Sequence, residues 1–125
     1  MRRRDLALAA LATTMLPGTA AWSADAYPNK PLRLIVGFAP GGGADSLTRI
    51  IAEGLSKQLG QQVIVENRPG ADGVLAAQAT SSAKPDGYTL LMGTNTAMVA
   101  APTLRPTSPY DPFKAFTPIS SAGQF

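Results

Sequence analysis

Apolar residues fall into short continuous runs separated by stretches of helical period. Leu32 to Phe38 is almost unbroken after Arg33, the pattern of a strand covered on both faces. Pro40 to Gly43 reads as a loop. In Asp45 to Leu59 the residues Leu47, Ile50, Ile51, Leu55 and Leu59 recur at helical spacing and predict one apolar stripe. Arg49, Glu53 and Lys57, four apart on another face, are placed to pair along the surface. Asp45 suits the helix start as a cap, and Gly60 its C-terminal stop. Gln62 to Glu66 predicts a second strand, Asn67 to Gly70 a turn, and Gly73 to Ala83 a helix of small residues. After a turn at Lys84 to Gly87, Tyr88 to Met92 predicts a third buried strand, and Gly93 to Thr96 a polar loop. Five prolines between 102 and 118 predict irregular chain, with one helical turn near Phe113 to Phe116. Thr117 to Ala122 is a candidate fourth strand.

Strands alternating with helices define an α/β fold with a mainly parallel sheet and flanking helices. Ligands of such sheets sit beyond the carboxyl ends of the strands. Three loops fall there: 39–46, 67–73 and 93–97. Each alone fits an ordinary turn. Together they describe a binding edge.

The chain start changes where the fold begins. Arg2, Arg3 and Arg4 precede an apolar run, Leu6 to Leu16, and then small residues ending at Ala24-Asp25-Ala26. This is the layout of a secretory signal peptide over 1–26, exported by the general or the twin-arginine route, and the run is too short to span a membrane. The remainder carries eight basic and six acidic residues, a balance of +2. That mild, scattered charge argues against nucleic acid. The 125 residues include no Cys and no His. Disulfides, thiol nucleophiles, Ser-His-Asp triads and the commonest metal ligands are therefore excluded. No cofactor and no metal is expected.

Candidate chemistry concentrates at Phe38 to Ser46, F-A-P-G-G-G-A-D-S. Consecutive glycines leave backbone N–H groups uncovered, and before a helix such groups hold an anion without a charged side chain. A P-loop would need Lys and Ser or Thr where Gly43 and Ala44 stand. A dinucleotide fingerprint begins at Gly41-Gly42-Gly43 but meets Ser46 at its third position, with Glu66 as the distant ribose acid. Ser46 lacks a base, and Asp45 with Asp72 is the only carboxylate pair the loops offer.

Five segments occur in fixed order: Y-P-N-K-P at 27–31, F-A-P-G-G-G-A-D at 38–45, E-N-R-P-G at 66–70, K-P-D-G-Y-T-L at 84–90 and Y-D-P at 110–112. Together they resemble the Bug family, the TctC-type solute-binding receptors of tripartite tricarboxylate transporters. The resemblance covers essentially all of 27–121. It implies a type II-like periplasmic binding protein of two lobes that close on a small carboxylate or amino-acid ligand, without catalysis, for membrane transporter subunits. It further implies that Phe38, Gly41, Gly42, Gly43, Ala44, Asp45, Ser46, Gly70, Asp72 and Gly73 lie along backbone that donates to the ligand carboxylate, and that Thr94, Asn95, Thr96 and Ala97 add polar contacts. From the residues themselves, successive N–H groups at 44–46 are the expected donors. Asp72 departs from the small or neutral residue usual in the family, and a carboxylate there repels a second acid group on the ligand or pairs with an amine. Family members are more than twice this length, so residues 27–125 are expected to be a first lobe ended before the second, stable and ligand-binding only weakly by themselves. A nucleotide-binding enzyme lobe built on Gly41–Gly43 and a nonfunctional receptor remnant are the alternatives.

Overall fold

The computed structural model describes residues 26–123; the expected signal peptide lies, but for Ala26, outside the described residues. No described helix is long and apolar enough to cross a membrane. Three parallel strands, β1 (Leu32–Val36), β2 (Val63–Asn67) and β3 (Thr89–Met92), form a sheet in the order β2-β1-β3. Leu34 lies opposite Val65 on one side and Leu90 on the other, and Val36 opposite Asn67 and Met92. Helix α1 (Gly43–Leu59) connects β1 to β2. Helix α2 (Val74–Ser81), preceded by a tight turn at Ala71–Gly73, connects β2 to β3.

Strand alternation sends successive side chains to opposite faces, and both faces are covered. On one, Leu32, Leu34 and Val63 pack with Ala52 of α1, with Ile51, Leu55, Leu59, Val65, Leu90 and Met92 around them. On the other, Val74 and Ala77 of α2 pack with Ala97, Tyr110, Leu91 and Phe116. Small residues on α2, with Ala76 and Ala77 fully buried, let the helix lie close to the sheet. The lead-in before β1 is fastened to the turn before β3: Tyr27 Oη donates to Gly87 O at 2.7 Å, and Tyr88 Oη to Asn29 Oδ1 at 2.8 Å.

Four expectations fail in whole or in part, each for a physical reason. The apolar stripe of α1 holds at Ile51, Leu55 and Leu59, which pack against the core, but the fully buried arc beside them is Asp45, Thr48 and Ala52, and Ile50 is left 69 % exposed. Arg49 turns back to Asp45 rather than forward to Glu53, which pairs with Lys57 at 2.7 Å. The loop expected at 93–97 winds directly into helix: a π turn at Thr96–Ala100 runs into α3 (Ala101–Leu104) despite Pro102. Pro102 has no N–H for the carbonyl of Ala97, five residues earlier, and the buried Tyr110 hydroxyl donates to that carbonyl at 2.6 Å instead. Residues 117–123 form no strand, since no described strand lies beside them to complete a ladder. The short helical turn expected near 113–116 is present as α4 (Pro112–Ala115), capped by Asp111.

Candidate functional site

Because all three strands run parallel, their following loops emerge on one edge. Between the first two loops the approach is backbone to backbone. A Cβ built on Gly37, at the end of β1, would lie 2.4 Å from Cα of Gly73 in the second loop. One built on Gly73 would lie 3.4 Å from Thr94 Oγ1 and 3.5 Å from Ala97 Cβ in the third. Glycine at 37 and 73 thus draws the three loops together, a role that no sequence motif announced.

The first loop enters α1 through Gly42, whose side-chain-free cap leaves the helix start open. Asp45 is therefore the third residue of the helix, not its cap. Its carboxylate is 3 % exposed and fully engaged. Oδ2 accepts from Gly41 N–H and from Arg49 Nε–H, both at 2.9 Å; Oδ1 accepts from Asn67 Nδ2–H at 2.8 Å. The same Asn67 amide donates to Phe38 O at 3.0 Å. Asn67 reaches this point because it shares strand parity with Val63 and Val65, which face α1. The Arg49 hydrogen bond first, then those from Gly41 and Asn67, hold Asp45 well below the usual carboxylate range, and Asp45 in turn raises the Arg49 pKa.

Donor accounting along the loop moves the free amides from the expected 44–46 to 42–45. Ser46 N–H closes the first helical bond to Gly42 O at 2.9 Å, and Gly41 N–H belongs to Asp45. The backbone N–H groups of Gly42, Gly43, Ala44 and Asp45 have no acceptor among the described residues. They stand at the N-terminus of a 17-residue helix, where the dipole favours an anion. Phe38 contributes through its carbonyl, already bound by Asn67.

The second loop runs through four successive positive φ angles: Gly70 at 144°, Ala71 at 48°, Asp72 at 54° and Gly73 at 93°. Two non-glycine residues in the left-handed region are strained, and such strain collects at functional sites. The turn is closed by Gly73 N–H to Gly70 O at 3.1 Å, which leaves the Ala71 and Asp72 amides without an acceptor among the described residues. Asp72 is exposed at the tip. In the third loop, Thr94 Oγ1 accepts from Ala97 N–H at 3.3 Å; Asn95 and Thr96 are exposed, and Ala97 is buried against Gly73.

The edge is an open wall. Two surface depressions, about 400 and 430 Å³, lie elsewhere: one at the amino ends of β1 and β3 beside Lys30, Lys84 and Tyr88, the other between α1 and β2. Glu66, the ribose acid of the nucleotide alternative, is held by Arg33 and Arg68. Sequence reasoning missed Asn67 and Arg49, whose parity and i,i+4 spacing to Asp45 were the available signals.

Comparison with known proteins bears on the same edge. Residues 47–124 match the family described as Tripartite tricarboxylate transporter family receptor. A UPF0065 protein of Bordetella bronchiseptica is 48 % identical over 97 residues, 78 % of this chain and 29 % of that protein. The periplasmic binding protein BugD is similar in structure, with a TM-score of 0.70 and 38 % identity over 74 % of this chain and 31 % of that one. MatC from Rhodopseudomonas palustris with bound malate gives a TM-score of 0.69 and 41 % identity, with the same shares of each chain. A second R. palustris protein, with adipate, gives 0.62 and 36 %, over 70 % of this chain and 29 % of that one. The chain spans about 30 % of the length of the relatives it matches.

Proposed function

We propose, from the premise that this chain belongs to the tripartite tricarboxylate transporter receptor family, that its three-loop edge is one wall of a pocket for a small carboxylate delivered from the periplasm to a membrane transporter. The family is one of substrate-binding receptors, not of enzymes, which removes the nucleotide-dependent alternative. Carboxylate receptors need donors that match two oxygens, and backbone amides can supply them as charge-assisted hydrogen bonds. The observation that carries the reading is the row of amides at Gly42 to Asp45 without an acceptor among the described residues, opening the 17-residue helix α1 at the carboxyl edge of the sheet. Ala71 and Asp72 add donors from the second loop, and Asn95 and Thr96 from the third. The dicarboxylates seen with two structural neighbours, malate and adipate, make a four- to six-carbon diacid the first ligand class to try.

One wall leaves a ligand half solvated, and hydrogen bonds exposed to water are weakened by its high dielectric. Binding to this chain alone is expected on the millimolar scale, about −4 kcal/mol. An amide-resolved NMR titration with malate detects it. The expected result is saturable shifts at Gly42 to Asp45, Ala71 and Asp72. Shifts confined to the Lys30–Lys84 depression, or none at all, would overturn the reading.

A further inference from the structure

We propose that Asp45 is a positioning residue for the glycine loop, and that it acts through Asn67 and Gly41 to hold the amides of Gly42, Gly43 and Ala44 free as donors. The inference rests on the anion-site reading above and goes beyond it by naming what shapes the site.

A carboxylate at the start of a helix normally competes with an incoming anion, because both are drawn to the same amides and dipole. Asp45 does not, because every one of its short contacts is directed away from the free amides. It takes the amide immediately before the cap, Gly41, and none of those after it. Its other oxygen takes Asn67, which also grips Phe38 O at the far end of the loop. The loop from 38 to 41 is thereby fixed at both ends to one side chain pair. Arg49 balances the buried charge from the solvent side, donating through Nε to Asp45 and through Nη2 to Asn67 Oδ1 at 3.3 Å. The charges facing Asp45 are thus Arg49 on its own helix, with the neutral Asn67 from β2 and the neutral loop. Gly41 has a φ of 88° and open space around it, so the local chain has no steric reason of its own to hold this shape. The hydrogen bonds supply it.

Asp45→Asn keeps the volume of the side chain but loses the charge that accepts from Gly41 and Arg49 together. Asn67→Ala removes the second arm and leaves Asp45 charged. Hydrogen exchange of the ligand-free chain, read by mass spectrometry over peptides covering 38–44, tests the inference without any ligand. Both variants are expected to accelerate exchange at Gly41 about tenfold or more, with β1 and β2 exchange unchanged. The double variant should add little to either single one, since the two residues act as a unit. In the malate titration, both should weaken the shifts at Gly42 to Ala44 while sparing those at Ala71 and Asp72. Unchanged Gly41 exchange in Asn67→Ala, with the strands intact, would overturn the inference. So would additive effects in the double variant. If the parent chain shows no malate shifts, the anion-site reading falls, while the exchange data still decide whether Asp45 shapes the loop.

Discussion

Gly37→Ala is the sharpest test of how the three-loop edge is built. The added methyl would stand 2.4 Å from Cα of Gly73, 3.4 Å from Gly73 C and 3.4 Å from Ala76 Cβ. Carbon atoms rest at about 3.5–4.0 Å, so at least an ångström of separation must open. The nearest obstacle is backbone, which cannot rotate away as a side chain would. Gly73 cannot retreat freely either, since it sits against Thr94 and Ala97 and holds a φ of 93°. Overpacking of this kind costs about 1–3 kcal/mol, and a backbone clash belongs at the upper end. For a domain of this size about 3 kcal/mol lowers Tm by roughly 12–24 °C. Gly54→Ala is the matched control: it lies inside α1 with nothing within 4 Å, and should stabilise by about 0.5–1 kcal/mol through helix propensity. Urea denaturation followed by far-ultraviolet circular dichroism reads both. A Gly37→Ala midpoint within about 0.5 kcal/mol of the parent, at unchanged m, would refute the claim that loops one and two are joined by backbone packing.

Three further outcomes are expected. Asp45, Glu66, Asp86 and Asp111 all have lowered pKa values, set chiefly by Arg49 for Asp45 and by Arg33 for Glu66. A depressed folded value stabilises above the unfolded pKa and is lost as pH falls through it, so the urea midpoint should be flat from about pH 7 to 5 and drop below about pH 4; a midpoint independent of pH in that range would contradict the ion-pair network. Tyr110→Phe strips the hydroxyl that donates to Ala97 O beside Pro102, and should lower stability by about 1–3 kcal/mol, with Pro102→Ala in the same chain recovering part of it; equal stability of Tyr110→Phe and parent would show that the carbonyl finds another partner. Asp72→Gly relieves a φ of 54° and removes about 1 kcal/mol of repulsion at contact distance, so stability should rise slightly and malate should bind about fivefold tighter relative to a neutral amino acid; an unchanged ranking of the two ligands by calorimetry would dismiss Asp72 as a selector.

Legibility followed the range of each interaction. The strand at Leu32, the helix ending at Gly60 and the strands at Val63 and Thr89 depend on local period and turn chemistry, and all are present within two residues of their predicted bounds. The helix through Thr96 to Leu104 was hidden because Pro102 argues against it locally, and the compensating donor, Tyr110, lies thirteen residues from Ala97. The fourth strand failed for the converse reason. Its residues have the right local character, but a strand exists only where a neighbour completes its ladder. At the site, glycine content pointed to the loop. Which amides remain free did not follow from it, because Gly41 and Ser46 lose theirs to partners that only the folded chain supplies.

Alternating apolar runs and helical periods were sufficient by themselves to specify a parallel α/β layer, and chain direction alone then put the three loops on one edge. Motif order was sufficient to specify the receptor family. Tertiary structure decided the rest. It turned Asp45 inward, recruited Asn67 by strand parity, pressed Gly37 onto Gly73 and moved the free amides to Gly42 through Asp45. The physical reason is that period and propensity act within a few residues, whereas the satisfaction of buried polar groups is settled between segments that meet only when the sheet has formed.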